Sequence, residues 1–155
     1  MKRARCALAW GIASFIATSG GALGAEPRAV QFVNTGKVVP KNLPFSEAVR
    51  VDNLLYLSGQ VGIEPGTLKL VPGGMKAEAR QALTNIKTIL DTQGLTTRDV
   101  VRCTVMLADI TEWSTFNEVY LEFFAPPYPA RSALGTGGLA LNARVEVECV
   151  AVFGR

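Results

Sequence analysis

The segment PARSALGTGGLALNARVEVECVAV, residues 129–152, combines a short strand, a glycine-rich turn and a long alternating strand. Residues 131–135 predict a short strand or strand edge, and residues 137–142 predict the turn that follows it. From residue 144 to residue 153 apolar side chains alternate with others, which predicts a strand with one buried face. That face is expected to carry Val145, Val147, Cys149, Ala151 and Phe153.

Upstream of this segment, the sequence predicts two helices among further strands. Apolar residues three and four apart in residues 75–93 predict a helix, which Gly94 ends. Thr111 is the predicted N-cap of a second helix, which Pro126-Pro127 ends. Its expected core side chains are Phe116, Val119, Tyr120, Phe123 and Phe124.

The remaining apolar runs predict strands at residues 29–33, 47–51, 54–58 and 99–107. In the last of these, Val101, Cys103, Val105 and Leu107 are expected on one face. The glycines and prolines of residues 59–74 predict a loop.

This order of elements favours an α+β domain with both helices on one face of a mixed sheet. Because the helix-free face then keeps apolar residues without a partner, we expect an oligomer. A length of 155 residues fits one domain.

The N-terminus resembles an export signal. Basic residues at positions 2, 3 and 5 precede an apolar stretch at residues 7–17 and a small-residue segment at 18–25. The apolar stretch is short for a membrane span. We therefore predict a signal peptide at residues 1–25, a single domain at residues 26–155, and an exported protein, periplasmic or secreted, with no membrane association after signal removal. A mis-started or uncleaved N-terminus is the alternative.

Charge and residue types exclude several classes of function. Without the first 25 residues the chain carries 13 basic and 13 acidic residues, so it has no general attraction for nucleic acid. The chain has no histidine, and its domain has two cysteines, Cys103 and Cys149. These facts argue against zinc sites and histidine-dependent nucleophiles, and no metal or cofactor is expected. Whether the two cysteines are bridged stays open at this point.

Arg131 is the most suggestive side chain, because a guanidinium can bind a carboxylate through two parallel hydrogen bonds. A surface arginine, or one paired with Glu146 or Glu148, is the alternative. The two glutamates share one face of the last strand, where one could act as an acid or base or both could form an ion-pair surface. Ser58-Gly59-Gln60 offers a hydroxyl and backbone amides at the end of a strand.

Taken together, these segments resemble the Rid (YjgF/RidA) family. The resemblance rests on Pro-Ala-Arg-Ser at residues 129–132 followed by the alternating glutamate strand, on LYLSGQVG at 55–62, on PFSEAV at 44–49, and on FNEVYLEFF at 116–124 with Asn117. It covers about residues 28–155.

The resemblance implies a chorismate mutase-like fold and a homotrimer with sites at the subunit interfaces. It also implies hydrolysis of 2-imino acids, such as 2-iminobutanoate and 2-iminopropanoate, and of their enamine tautomers to 2-oxo acids and ammonia, without a cofactor. Arg131 would hold the substrate carboxylate and Glu146 would place and activate water. The remaining implied substrate contacts are Ser58, Gly59, Asn117 and Ala133.

Two residues depart from the family pattern. Phe45 stands where the family has a tyrosine, and Ala133 stands where it often has a cysteine. Phe45 is expected to line the pocket and to favour a more apolar substrate. A non-catalytic module that binds a small carboxylate or a partner in the same pocket is the alternative function. RNA cleavage is disfavoured by the neutral charge of the domain and by the missing histidines.

Overall fold

The computed structural model describes residues 28–154, which form one mixed sheet with two α-helices. The strands are β1 (Val30–Val33), β2 (Ala48–Val51), β3 (Leu54–Leu57), β4 (Gln60–Val61), β5 (Val100–Leu107), β6 (Ala130–Gly135) and β7 (Val145–Val152). The helices are α1 (Gly74–Thr92) and α2 (Trp113–Phe123). The prediction of an α+β domain is confirmed. The predicted signal peptide lies outside the described residues.

Strand β7 lies at the centre of the sheet, whose order is β1-β2-β3-β7-β5-β6, with β4 also paired to β7. All the pairings are antiparallel except that of β5 with β6. Strand β6 therefore forms one edge of the sheet. This arrangement places the two halves of the segment 129–152 on strands that both neighbour β5.

The inner face of β7 agrees with its sequence pattern, since the side chains of Val145, Val147, Cys149 and Ala151 are all buried. Phe153 is only partly buried and packs at the margin of the core. Helix α1 covers this face with Ala79, Leu83, Ile86, Ile89 and Leu90, which recur at three- and four-residue spacing as predicted.

Strand β5 departs from its predicted alternation near its start. The register with β7 shifts between Val100 and Arg102, so Val101 is left 37% exposed and Val100 is buried. A bulge of this kind adds one residue to one strand and reverses the faces on one side of it. The placement of Val101 on the buried face was therefore wrong.

The start of the second helix also differs from the prediction. Asp109, rather than Thr111, accepts the capping hydrogen bond, and its side chain binds the backbone N–H of Thr111 at 2.9 Å. A short 3₁₀ turn at Ile110–Glu112 then precedes α2, whose N-cap is Glu112. An aspartate here competes well for the free N–H groups of a helical turn.

The predicted loop at residues 59–74 contains the short strand β4 and is fixed to α1. Asn85 of α1 is fully buried and donates to the carbonyls of Val61 and Ile63 at 3.2 and 3.1 Å. Gly62 lies so close to α1 that a Cβ there would come within 2.6 Å of the Glu78 backbone. The close approach fixes the backbone that follows Gly59.

Cys103 and Cys149 are joined by a disulfide, which answers the question that the sequence left open. They are register partners on β5 and β7, and both are buried. The bridge therefore ties the neighbouring strands β5 and β7 together on the face that the helices cover.

The helix-free face of the sheet carries exposed apolar side chains. Phe32 is 70% exposed and Tyr56 is 46% exposed. Phe32 on β1 and Tyr56 on β3 are both register partners of Val49 on β2, so they lie on one face of the sheet. Their exposure agrees with the expectation of an oligomer, while the trimer itself stays a prediction. Within residues 28–154, no helix combines the length and the apolar character that a membrane crossing requires.

Candidate functional site

Arg131 lies on the edge strand β6 and points toward the helices. Its register partner on β5 is Cys103, whose side chain lies on the buried face. The Nη2 group of Arg131 donates to Oδ1 of Asn117 at 2.7 Å. Its guanidinium carbon lies 4.4 Å from the ring centroid of Tyr120, which is a cation–π distance. We call Arg131, Asn117 and Tyr120 the guanidinium cluster.

Helix α2 presents Asn117 and Tyr120 together because residues three apart lie on the same side of a helix. Phe116 and Val119 of α2 are buried, which fixes the helix against the sheet. The guanidinium cluster borders a cavity of about 470 Å³. The cavity is lined by Asn117, Tyr120, Leu121, Tyr128, Pro129 and Arg131.

No acidic side chain among the described residues forms an ion pair with Arg131. The alternative in which Arg131 pairs internally with Glu146 or Glu148 is therefore not realised within one chain. Since Asn117 is neutral, the positive charge beside the cavity is not compensated by a neighbouring carboxylate. A cation in such a position is suited to bind an anion.

A second group of predicted residues lies around Glu146 on β7. A Cβ atom at Gly59 would collide with Oε1 of Glu146 and lie 2.8 Å from its Cδ, so the glycine allows the carboxylate to lie against the backbone. Ser58 precedes Gly59, and its hydroxyl donates to the carbonyl of Ser46 at 2.6 Å. We call Ser58, Gly59 and Glu146 the carboxylate cluster. Phe45, next to Ser46 in the chain, is 47% exposed.

The carboxylate of Glu146 makes no hydrogen bond or ion pair with any residue in the described part of the chain. Burial raises the pKa of Glu146, and the negative charge of Glu148 on the same face raises it further. The side chain is half-buried. A carboxylate in these conditions holds a proton more readily than one in water, and it is a stronger base when ionised.

The two clusters lie on opposite faces of the sheet within one chain. Glu146 and Leu134 are both register partners of Met106, so they share a face of the sheet. Leu134 alternates with Arg131 and Ala133 along β6, which therefore point the other way. Ala133 is exposed beside the guanidinium cluster. The structure brings Arg131 together with Asn117, and Glu146 together with Gly59, but does not join the two groups in one chain.

Tyr120 was predicted as a core side chain only, and its contact with Arg131 was missed. An aromatic residue at helical spacing is more often part of a core, and Tyr120 is indeed only 5% exposed. The available signal was its spacing from Asn117, which places both side chains on one face of α2. Among residues 28–154, no group of three or more Cys, Asp or Glu side chains is placed to bind a metal ion.

Relatives with established names match most of the chain. The 2-iminobutanoate/2-iminopropanoate deaminase of Bos taurus is 45% identical over 124 residues, which are 80% of this chain and 90% of that protein. The Homo sapiens protein of the same name is 42% identical over 122 residues, or 79% and 89% of the two chains. The crystal structure of RidA from an Antarctic Psychrobacter bacterium matches with a TM-score of 0.74 and 37% identity, covering 79% of this chain and 98% of that one.

The prediction of an exported protein, periplasmic or secreted, is contradicted by these relatives. They include deaminases of cattle, humans and the mite Dermatophagoides farinae, and animal cells have no periplasm. The match to the family also begins at residue 35, beyond the segment on which that prediction rested. A basic and apolar N-terminus was not sufficient evidence for export.

The family model that matches is described as Endoribonuclease L-PSP, and it covers residues 35–153. Its match includes both strands of the segment 129–152, the helix that carries Asn117, and the glycine beside Glu146. The resemblance inferred from these segments is confirmed, and the chain belongs to the Rid (Endoribonuclease L-PSP) family.

Proposed function

We propose that the protein hydrolyses reactive 2-imino acids and their enamine tautomers to 2-oxo acids and ammonia. The observation that supports this most is the guanidinium of Arg131, which borders an open cavity without an acidic partner in the described chain. The relatives from cattle and humans, which share more than two fifths of their aligned residues with this chain, carry the name of this activity.

In this proposal Arg131 binds the substrate carboxylate. Asn117 accepts only one of the guanidinium N–H groups, so most of them remain for a planar, two-oxygen partner. A fixed carboxylate also fixes the neighbouring C2 atom, which is the carbon that water attacks. Because a protonated imine is already electrophilic, correct placement supplies much of the required rate.

Glu146 is the proposed base. Water loses a proton to the Glu146 carboxylate as its oxygen bonds to C2, which gives a tetrahedral amino alcohol. Glu146 then passes this proton to the nitrogen. As the C–N bond breaks, the Glu146 carboxylate takes the proton of the new hydroxyl group, so that C2 becomes a carbonyl carbon, and the departing ammonia accepts that proton and leaves as ammonium. The raised pKa of Glu146 makes its carboxylate a better proton acceptor for this step. No metal or cofactor takes part.

The complete site requires a second copy of the chain in this proposal, because the two clusters lie on opposite faces of one sheet. A homotrimer would place the guanidinium cluster of one protomer against the carboxylate cluster of the next. Phe45 and Ser58 would then line the pocket from the side of Glu146, and Ala133 would line it from the side of Arg131. The apolar helix-free face supplies surface for such an assembly.

The test measures ammonia release from imines that an amino-acid oxidase generates in the assay, with and without the protein. We expect acceleration by the wild-type chain and a loss of about a hundredfold or more in kcat/KM for Arg131→Ala, as for a lost charged anchor. Arg80→Ala is the matched control, because Arg80 pairs with Glu122 on an exposed surface. Absence of acceleration for several amino acids, or full activity of Arg131→Ala, contradicts the proposal.

A non-catalytic module that binds small carboxylates is the second candidate. Phe45 and Ala133 favour it, because they lack the hydroxyl and thiol that the family often has at these positions. Calorimetry with 2-oxo acids separates the two candidates. Binding that Arg131→Ala abolishes, together with no turnover of any imine, identifies a binding module, whereas turnover identifies the enzyme.

A further inference from the structure

We infer that Tyr120 is a positioning residue, whose ring face fixes the plane of the Arg131 guanidinium for carboxylate binding. The inference rests on the proposed function of Arg131 but adds a residue that the sequence placed only in the core. It starts from one contact, the 4.4 Å between the guanidinium carbon of Arg131 and the centroid of Tyr120.

Arg131 needs such support because of where it lies. Strand β6 is at the edge of the sheet, and its residues other than Arg131 are exposed. A long arginine side chain in open surroundings loses considerable rotational entropy when it is held in one orientation. The bond from Nη2 to Asn117 fixes one nitrogen, yet it leaves the guanidinium free to turn about that bond.

The ring of Tyr120 removes this remaining freedom. A guanidinium prefers to lie over an aromatic face, where the π electrons attract the cation. Asn117 therefore holds an edge of the guanidinium and Tyr120 holds its face, both from α2. Asn117 accepts one of the N–H groups, and the guanidinium also borders the cavity, where its other N–H groups can meet a ligand.

The ring itself is firmly placed. Tyr120 is 5% exposed, and its ring stacks on Phe124 with centroids 4.4 Å apart. A second aromatic contact, to Phe116, has centroids 5.9 Å apart. The ring cannot move without disturbing this stack, so its position is transmitted to Arg131.

The contact is between a cation and a neutral ring. Burial raises the pKa of Tyr120, while the charge of Arg131 opposes this effect and Tyr128 adds to it. The phenol is therefore protonated at neutral pH. Its Oη atom is buried and has no hydrogen-bond partner among the described residues. The hydroxyl thus contributes nothing to holding Arg131, and a phenylalanine ring should serve equally well.

The experiment compares Tyr120→Leu, Tyr120→Phe and Phe124→Leu in the full-length protein. Phe124→Leu is the packing control, because Phe124 belongs to the same stack but is not one of the two rings that make a cation–π contact with Arg131, which are Phe116 and Tyr120. For Tyr120→Leu we expect KM for the imine to rise about tenfold, as for a lost cation–π contact, with kcat nearly unchanged. We expect Tyr120→Phe to keep the wild-type KM, and Phe124→Leu to lower the melting temperature while raising KM much less than Tyr120→Leu does.

A catalysis-independent measurement is the NMR shift of the Arg131 side-chain protons. A ring face beneath the guanidinium moves these signals upfield, so the shift is expected in the wild type and in Tyr120→Phe. If Tyr120→Leu does not fold, the presence or absence of this shift in the wild-type protein still tests whether the ring lies against the guanidinium. If the protein turns over no imine, the proposed function fails, while the upfield shift still tests the placement of Arg131.

Three results overturn the inference. They are an unchanged KM in folded Tyr120→Leu, a KM raised equally by Tyr120→Phe, and the absence of an upfield shift in the wild-type protein. The second result would assign the effect to the hydroxyl rather than to the ring.

Discussion

Glu47 is buried and Glu146 is half-buried in the same domain, but the two carboxylates differ in the hydrogen bonds that they accept. Glu47 is 1% exposed and accepts four hydrogen bonds. The backbone N–H and hydroxyl of Thr35 donate at 2.6 and 2.7 Å, and the N–H groups of Val38 and Val39 donate at 3.1 and 3.2 Å. Burial alone would raise the pKa of Glu47, but these hydrogen bonds outweigh it and the pKa is lowered.

Glu146 has none of these donors within the described chain. Burial raises its pKa, and Glu148 adds to the effect. The folded chain supplies four hydrogen-bond donors to the carboxylate of Glu47 but none, within the described residues, to that of Glu146. The first stabilises a loop, and the second can exchange a proton with water or substrate.

The largest effect is expected for Glu146→Gln. If Glu146 is the base, this variant loses between about a hundredfold and ten-thousandfold in the rate of imine hydrolysis, because the amide cannot accept the proton. The assay is again ammonia release from imines made in situ. Glu118→Gln, on an exposed face of α2, is the control and should keep full activity.

The same variant should not lose stability. A carboxylate whose pKa is raised by folding favours the folded state at low pH, and that advantage is lost as the pH rises through the folded-state pKa. Above the folded-state pKa, the ionised Glu146 therefore destabilises the fold slightly, and Glu146→Gln should melt there at the wild-type temperature or slightly above it. A clear fall in the melting temperature of Glu146→Gln together with retained activity would show that Glu146, like Glu47, stabilises the fold and takes no part in catalysis.

The second effect is a loss of stability in Glu47→Gln. The amide can still accept from Val38 and Val39, but its NH₂ group then faces the donors of Thr35, which are left unsatisfied. We expect the free energy of unfolding to fall by about 3 kcal/mol, from two lost charge-assisted hydrogen bonds in a buried place. Urea denaturation measures this, with exposed Glu64→Gln as the control.

The pH dependence of stability should distinguish the two glutamates as well. The lowered pKa of Glu47 means that its contribution is complete above the unfolded-state pKa and is lost as the pH falls through the folded-state pKa. Wild-type stability should therefore decline in acid more steeply than that of Glu47→Gln. Parallel stability curves for the two proteins would contradict this.

The sequence predicted Glu146 and Arg131 but gave no sign of the role of Glu47. These two proposed site residues lie in the segment 129–152, where a local pattern of alternation and a family resemblance both apply. Glu47 draws its donors from a loop 8 to 12 residues upstream, and that loop has no regular repeat. Hydrogen bonds between irregular segments follow from the folded path of the chain, which no short pattern encodes.

The same distinction applies to the fold. The ends of helix α1 and strand β7 each lie one residue from their predicted positions, because each element has a long, regular apolar pattern. The bulge at Val101 and the short strand β4 were missed, since both depend on pairing with β7 rather than on their own sequence. Arg131 and Glu146 lie on opposite faces of the sheet, and this too depends on the register of the strands, which is fixed only when the sheet forms.

The third effect concerns the glycine that makes room for Glu146. In Gly59→Ala the new Cβ would collide with the Glu146 carboxylate, which is the mobile end of a side chain. The carboxylate should move aside at little cost in stability. If Glu146 is the base, activity should fall about tenfold or more because that base is misplaced. Gly137→Ala is the matched control, since nothing lies within 4 Å of its Cβ position. Equal activity of the two variants would show that the position of Glu146 against Gly59 is unimportant.

The smallest effect is expected for Glu148→Gln, which keeps Glu146 and changes only its surroundings. Removing the exposed negative charge takes away the second cause of the raised pKa of Glu146, whereas burial, the larger cause, remains. If ionised Glu146 is the base, kcat/KM falls in acid as Glu146 becomes protonated, so this acidic limb should move to lower pH in the variant. The rate at the plateau should stay the same. If the limb does not move, or moves to higher pH, the fall of kcat/KM in acid does not report protonation of Glu146. The charge of Glu148 would then not explain how Glu146 differs from Glu47.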